Sequence, residues 1–249
     1  MVDADTAFYL LTFCLFAAAA LYTSVGHASA SAYIAAMALF GIAPPVMRPT
    51  ALVLNILVSL FASVRYYRAG LFRWRGFWPF AAGALPLAAI GGALQLPGQY
   101  YRPLVGVLLL AAAARLLWPK ALRKSPETTD VPVAHGVAIG GAIGLLSGLT
   151  GTGGGIFLSP ILLFMGWSET RAASGIAAVF ILCNSVAGLL GNISSVKALP
   201  AGLPWFAAAV LLGAVAGTQF GIVTLAKEGV VKALGLVLIV AGIKLIGVY

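Results

Sequence analysis

Hydrophobic residues are gathered along this chain into ten blocks, at about residues 6–22, 28–43, 49–64, 77–94, 103–118, 135–150, 156–167, 172–191, 204–225 and 230–248. Most charged residues lie between the blocks. A helix that is apolar all round belongs in a core or in lipid, and a full membrane crossing takes about 20 residues. The second and seventh blocks fall short of that length. Each follows a break of small residues, 26–30 in one case and 151–155 in the other, so each is expected to be a half-helix meeting its partner inside the membrane.

The break in the second half is the more pronounced. Residues 144–171 read GLLSGLTGTGGGIFLSPILLFMGWSETR, with glycine at 151, 153, 154 and 155. Glycine costs a helix interior roughly 1 kcal/mol against alanine, so the helix should stop here and restart near Ile156. Main-chain groups freed at membrane depth must be covered by protein or line a cavity. The restarting helix would aim its first N–H groups and positive dipole end into the glycine segment, a ready anion site. The other reading is that these glycines only let helices approach closely. Both stay open at this stage.

Composition changes the picture from apolar blocks to a membrane protein. With 61% hydrophobic residues, 8% charged residues and a mean hydropathy of +1.04, the chain has too little polar surface to cover a soluble globule. The start, MVDADTAFYLL, lacks the basic stretch of a secretory signal, so the first block is expected to remain as a span. Cys14 and Cys183 lie in apolar runs without CxxC spacing and read as buried thiols, while two isolated histidines argue for no metal centre or other cofactor.

Of the fifteen Lys and Arg residues, eleven follow odd-numbered blocks: Arg65, Arg68, Arg73, Arg75, Arg115, Lys120, Arg123, Lys124, Arg171, Lys227 and Lys232. Only Arg48, Arg102, Lys197 and Lys244 fall on the other side. The positive-inside rule then makes the odd connections cytoplasmic and turns both termini outward. Five blocks before the polar linker force the second half to enter from the opposite face. The expected fold is therefore an all-α polytopic membrane protein of two inverted repeats of about five segments each, with broken or re-entrant helices at the glycine-rich motifs. Residues 1–118 form one repeat, 119–134 a cytoplasmic linker and 135–249 the other.

Sliding the chain on itself by 125 residues lays SVGHASASAYIAAMALFGI over LTGTGGGIFLSPILLFMGW, with Gly26 on Gly151 and Gly41 on Gly166. With one deletion, Arg48 falls near Arg171 and Thr50 near Ser174. Inverted repeats with interrupted helices in matching positions mark the midplane site of secondary transporters. These motifs resemble the sulfite exporter TauE/SafE family: GLLSGLTGTGGGIFLSPILL, AASG and CNSVAG in the second half, SVGHASASAYIAAMALFG and RPTALVLN in the first. The resemblance implies transport of small anions, typically sulfur oxyanions or organosulfonates, across the bacterial inner membrane. In the first half Ala28 and Ser29 stand where the family pattern calls for glycine.

Charge placement points the same way. The acids, Asp3, Asp5, Glu127, Asp130, Glu169 and Glu228, all lie at block ends or in connections. A cation carrier usually keeps a carboxylate at mid-span. Candidate substrate-binding residues are Gly26, His27 and Ser29 at the first break, Thr152, Gly153, Gly154 and Gly155 at the second, and Thr50, Asn55, Ser174 and Asn184 nearby, with Arg48 and Arg171 at opposite mouths. Each Ser or Thr could instead bond its own helix, each arginine could be an anchor, and His27 is either a pH-sensitive group or a packing residue. RYYRAGLFRWRGFW reads as an interfacial belt, not a nucleic-acid patch, and GTGGGI matches neither nucleotide motif. No catalytic constellation is visible, so the chain is not read as an enzyme. A non-transporting subunit that anchors a partner complex is the alternative to a transporter of a small anion. Glycine stripes at 136, 140, 144 and 148, and at 213, 217 and 221, serve either intrachain packing or a homodimer.

Overall fold

Proline and glycine punctuate the apolar blocks into helices. The computed structural model describes residues 4–24, 30–117, 129–193, 199–223 and 228–247, and among them no strand occurs. The helices are α1 (Ala4–Ser24), α2 (Ala30–Leu39), α3 (Pro44–Arg68), α4 (Trp74–Ala93), α5 (Gly98–Leu117), α6 (Val133–Thr150), α7 (Gly155–Phe164), α8 (Thr170–Gly191), α9 (Leu203–Val223) and α10 (Glu228–Gly247). Pro44 and Pro45 open α3, where a missing N–H costs nothing. The short helices α2 and α7 end in the same motif. Gly41 at φ +74° and Gly166 at φ +68° adopt the left-handed conformation. Ile42 N–H donates to Met37 O at 3.0 Å and Trp167 N–H to Leu162 O at 2.9 Å, the bonds of a Schellman cap. These are the two glycines that the 125-residue shift superimposes.

Five described helices are long and apolar enough to cross a membrane, in α1, α3, α4, α6 and α8. Large apolar side chains such as Tyr9, Phe13, Trp205, Leu212 and Ile243 are exposed on the outside of the bundle, as a lipid-facing surface requires. The protein is a multi-pass membrane protein. Its interior has two apolar cores. One surrounds Tyr33, Ile34 and Met37 of α2 with side chains from α1, α3, α5, α9 and α10. The other surrounds Leu158 and Leu162 of α7 with side chains from α4, α6 and α8. Helix α2 is buried from Ala30 to Ala38, which is why its sequence is apolar on every face.

The glycine stripes set the helix spacing. A Cβ at Gly136, Gly140, Gly144 or Gly148 would overlap Pro79, Phe80, Ala84 or Ala88 of α4, and one at Gly213 or Gly217 would overlap the main chain of Phe16 or Ala20 on α1. The α6 stripe, and Gly213 and Gly217 of the other, are thus occupied within the chain. The partner positions rise together along each pair, so α4 runs parallel to α6 and α1 parallel to α9. Gly191 brings α8 onto α4 in the same way, against Ala89 and Ala93, and Gly92 of α4 does so against the main chain of Gly188.

Helices α6 and α7 form a re-entrant hairpin. Thr129 N–H, just before α6, donates to Gly166 O, just after α7, at 3.0 Å. Residues of α6 rise 1.5 Å each, and a Cβ at Gly154 would lie 2.8 Å from Ile143 Cγ2, ten positions into α6. The start of α7 therefore sits about 15 Å along α6.

Replacing Gly144 by valine must push α6 away from the main chain of α4. Overpacking of this kind costs about 1–3 kcal/mol. The expected outcome is a lowered unfolding temperature in detergent, whereas Gly247→Ala, with open space around it, leaves the temperature unchanged.

Candidate functional site

The break between α6 and α7 is built from main chain, with side chains of α3, α5 and α8 around it. Gly151 ends α6 at φ +83° and its N–H bonds Ser147 O at 2.7 Å. Gly153 and Gly154 follow at φ +75° and +78°, a conformation that side chains disfavour, so the turn needs glycine at both positions. Gly154 is the N-cap of α7 and supplies no side-chain cap. Helix geometry leaves the first N–H groups of α7 without carbonyls of a preceding turn. Only Phe157 and Leu158 N–H reach back, to Gly154 O at 3.1 and 3.3 Å.

Two asparagines press on this turn. A Cβ at Gly153 would overlap Asn55 Nδ2, one at Gly154 would lie 3.0 Å from Asn184 Nδ2, and one at Gly155 would overlap Ile181. Asn55 donates to Ser185 Oγ at 2.9 Å, bridging α3 and α8, and Asn184 donates to Gly153 O at 3.3 Å. Each amide keeps a second N–H beyond these bonds. Both residues are at most 1% exposed, and the Oδ1 of each has no partner among the described residues. Thr150 Oγ1 donates to Leu146 O at 2.7 Å, which leaves Thr152 to donate to Thr150 at 3.1 Å. In this arrangement both hydroxyl protons are in use. The Thr50 hydroxyl, on α3, is buried and has no partner among the described residues.

Arg48 lies on the outer flank of the turn, one helix turn into α3, and is 5% exposed. Its guanidinium donates to Leu94 O at 2.8 Å, to Gly91 O at 2.6 Å and to Gly92 O, closing the C-terminus of α4. Its main chain and stem pack on Gly151, whose Cβ would be 3.1 Å from Arg48 O. Tyr101 of α5, also buried, donates to Thr150 O at 3.0 Å. Beyond Arg48 and Tyr101 opens a cavity of about 180 Å³ lined also by Pro44, Pro45, Gln95, Leu96, Gly98, Arg102 and Asn192.

The structure thus brings Arg48, Asn55, Thr152, Gly153, Gly154, Gly155 and Asn184 into one neighbourhood. Ser174 lies elsewhere, near the opposite end of α8, hydrogen-bonded to Tyr66. Arg171 is exposed on the first turn of α8 and does not line the turn. Gly26, His27 and Ser29 lie outside the described residues. Tyr22 and Ser31, on either side of them, are joined by a hydroxyl hydrogen bond of 3.0 Å, so the end of α1 and the start of α2 lie together. Sequence reasoning missed Tyr101, Ser185 and Asn192. Ser185 follows Asn184 directly, and Tyr101 precedes Arg102 at the start of α5, but neither belongs to a repeat match.

Removing the Arg48 side chain takes the donor from three carbonyls, of which those of Gly91 and Gly92 are buried, at about 1–3 kcal/mol for each buried group left unsatisfied. Arg48→Ala is expected to lower the unfolding temperature in detergent sharply. Arg48→Lys recovers only part of it, because a single ammonium cannot replace the forked guanidinium.

The geometry can be set against known proteins. Residues 11–245 match the model of the family described as sulfite exporter TauE/SafE. The chain is 39% identical over 246 residues, 97% of its length and 99% of the relative's, to "Probable membrane transporter protein y4hK" of Sinorhizobium fredii (strain NBRC 101917 / NGR234). No solved structure matches. With ten helices among the described residues, a helix break at the glycine motif and a family match over nearly its whole length, the chain belongs to the sulfite exporter TauE/SafE family and is a membrane transporter.

Proposed function

We propose that the protein is a secondary transporter that moves a small anion, a sulfur oxyanion or organosulfonate such as sulfite, thiosulfate or sulfoacetate, across the bacterial inner membrane. The observation that carries this reading is an imbalance at the helix break. Carbonyls released there are given protein donors, Tyr101 to Thr150 O and Asn184 to Gly153 O. The first N–H groups of α7 are left uncapped at the positive end of the helix dipole. An anion is the ligand that completes such an end, and the second N–H groups of Asn55 and Asn184 stand beside it.

The family description names sulfite, which supports the sulfur-oxyanion class. Helix pairing supports inverted repeats: exchanging the halves swaps the α1–α9 pair with α6–α4 and returns α3–α8 and α5–α10 to themselves. The same arrangement supports alternating access. Asn55 and Ile181 pack against the glycines, so substrate entry requires α3 and α8 to draw back from the turn. Arg48 and Asn55 share α3, and the movement that frees the glycines therefore also shifts the contact between Arg48 and Gly151.

Purified protein in liposomes should take up labelled sulfite, thiosulfate or sulfoacetate. An inert protein that co-purifies with a partner would instead identify an anchoring subunit. Gly154→Leu is expected to abolish binding. Asn55→Ala removes one hydrogen bond to a charged ligand and is expected to weaken binding about tenfold, the equivalent of about 1.4 kcal/mol. Unchanged affinity in both variants would remove the glycine turn from the site.

A further inference from the structure

We propose that the cavity outside Arg48 is a second, outer anion subsite, where a compact oxyanion rests before reaching the glycine turn. The proposal rests on the anion-transport reading but concerns a different place. The cavity lies where the N-termini of α3 and α5 meet the C-termini of α4 and α8, at Pro44, Gly98, Gln95 and Asn192. Two of its lining side chains are almost wholly buried and hold unused donors. Arg48 is 5% exposed and Asn192 2% exposed. Arg48 Nε and Asn192 Nδ2 have no hydrogen-bond partner among the described residues.

The two groups are held side by side by main chain. Arg48 donates to Gly92 O, and the built Cβ of Gly92 meets Gly188 and Gly191 at the end of α8. Asn192 N–H bonds Gly188 O at 3.1 Å and Leu189 O at 3.0 Å, which sets its side chain at that same end. A buried donor left unpaired costs about 1–3 kcal/mol; both atoms are closed off from water, so turning either side chain toward the cavity to meet an acceptor recovers that cost. Arg102, half-buried on the same wall, adds a second positive charge, and no carboxylate lines the cavity. Its volume, about 180 Å³, admits an ion of a few heavy atoms with some of its water. Cations at this mouth, behind low-dielectric walls, raise the local concentration of anions.

The chemistry recognised is a compact oxyanion, which a soluble substrate or a lipid phosphate could supply, and we assign the soluble ion. Full-length protein in detergent is titrated with [35S]thiosulfate at low ionic strength. Wild type should retain two equivalents per chain, Asn192→Asp and Arg102→Glu one each, and Asn55→Ala two, one of them about tenfold weaker, with unfolding temperatures unaltered in Asn192→Asp and Arg102→Glu. The vestibule is overturned if Asn192→Asp and Arg102→Glu bind like wild type while Asn55→Ala does not. If those two lose an equivalent and Asn55→Ala binds like wild type, the outer subsite stands and the central site falls. A wild type that binds none overturns both. In nanodiscs, affinity equal in phosphatidylglycerol and phosphatidylcholine supports the soluble ion; competition by phosphatidylglycerol gives the site to a headgroup and overturns the assignment.

Discussion

A helix that stops inside an apolar layer leaves carbonyls with no water to turn to, and this constraint organises the protein. Four side chains answer it. Arg48 closes the end of α4, Tyr101 and Asn184 serve the carbonyls of Thr150 and Gly153, and Lys244 Nζ donates to Leu39 O at 2.8 Å, closing the end of α2. Each is a donor sent from one helix to the end of another. The broken helices are thereby tied to their neighbours at the points where they would otherwise be weakest.

The same ties explain the cations that run against the positive-inside trend. Arg48 and Lys244 are committed to helix C-termini, where a positive charge is favoured by the dipole as well as by hydrogen bonding. Arg102 lines the vestibule, and Lys197 lies outside the described residues. Arg48 consequently has two faces. Its terminal nitrogens are structural, while its Nε has no partner among the described residues and the residue lines the cavity. A side chain held this firmly can present charge to an anion without folding onto it.

Packing and chemistry are also linked through glycine. Along α6 the stripe from Gly136 to Gly148 removes side chains so that α4 can lie against the backbone. Three residues beyond the stripe, the glycines change purpose: Gly151, Gly153 and Gly154 take positive φ and turn the chain, and a side chain there would strike Arg48, Asn55 or Asn184. The close-packing reading holds for the stripe, and the helix-break reading holds for the motif. A run of glycines in sequence thus has two physical roles divided at Gly151.

Hydropathy alone determined that this is a multi-pass helical membrane protein, because no soluble globule could cover so apolar a chain. The glycine run determined that a helix breaks after Thr150, since neither side-chain packing nor helix propensity favours four glycines in a turn. Matching Gly41 and Gly166 located two equivalent helix ends before their shared cap was visible. What tertiary structure decided is which polar residues meet. Arg48 and Arg171 look equivalent in sequence, yet one is buried against α4, whose last carbonyls it reaches, and the other is exposed. Ser174 matches Thr50 in the repeat but bonds Tyr66 away from the break, and Tyr101, Ser185 and Asn192 enter from helices far along the chain. Local sequence records where a backbone must break; the donors that come to the break are set by the packing of distant helices, which no short motif encodes.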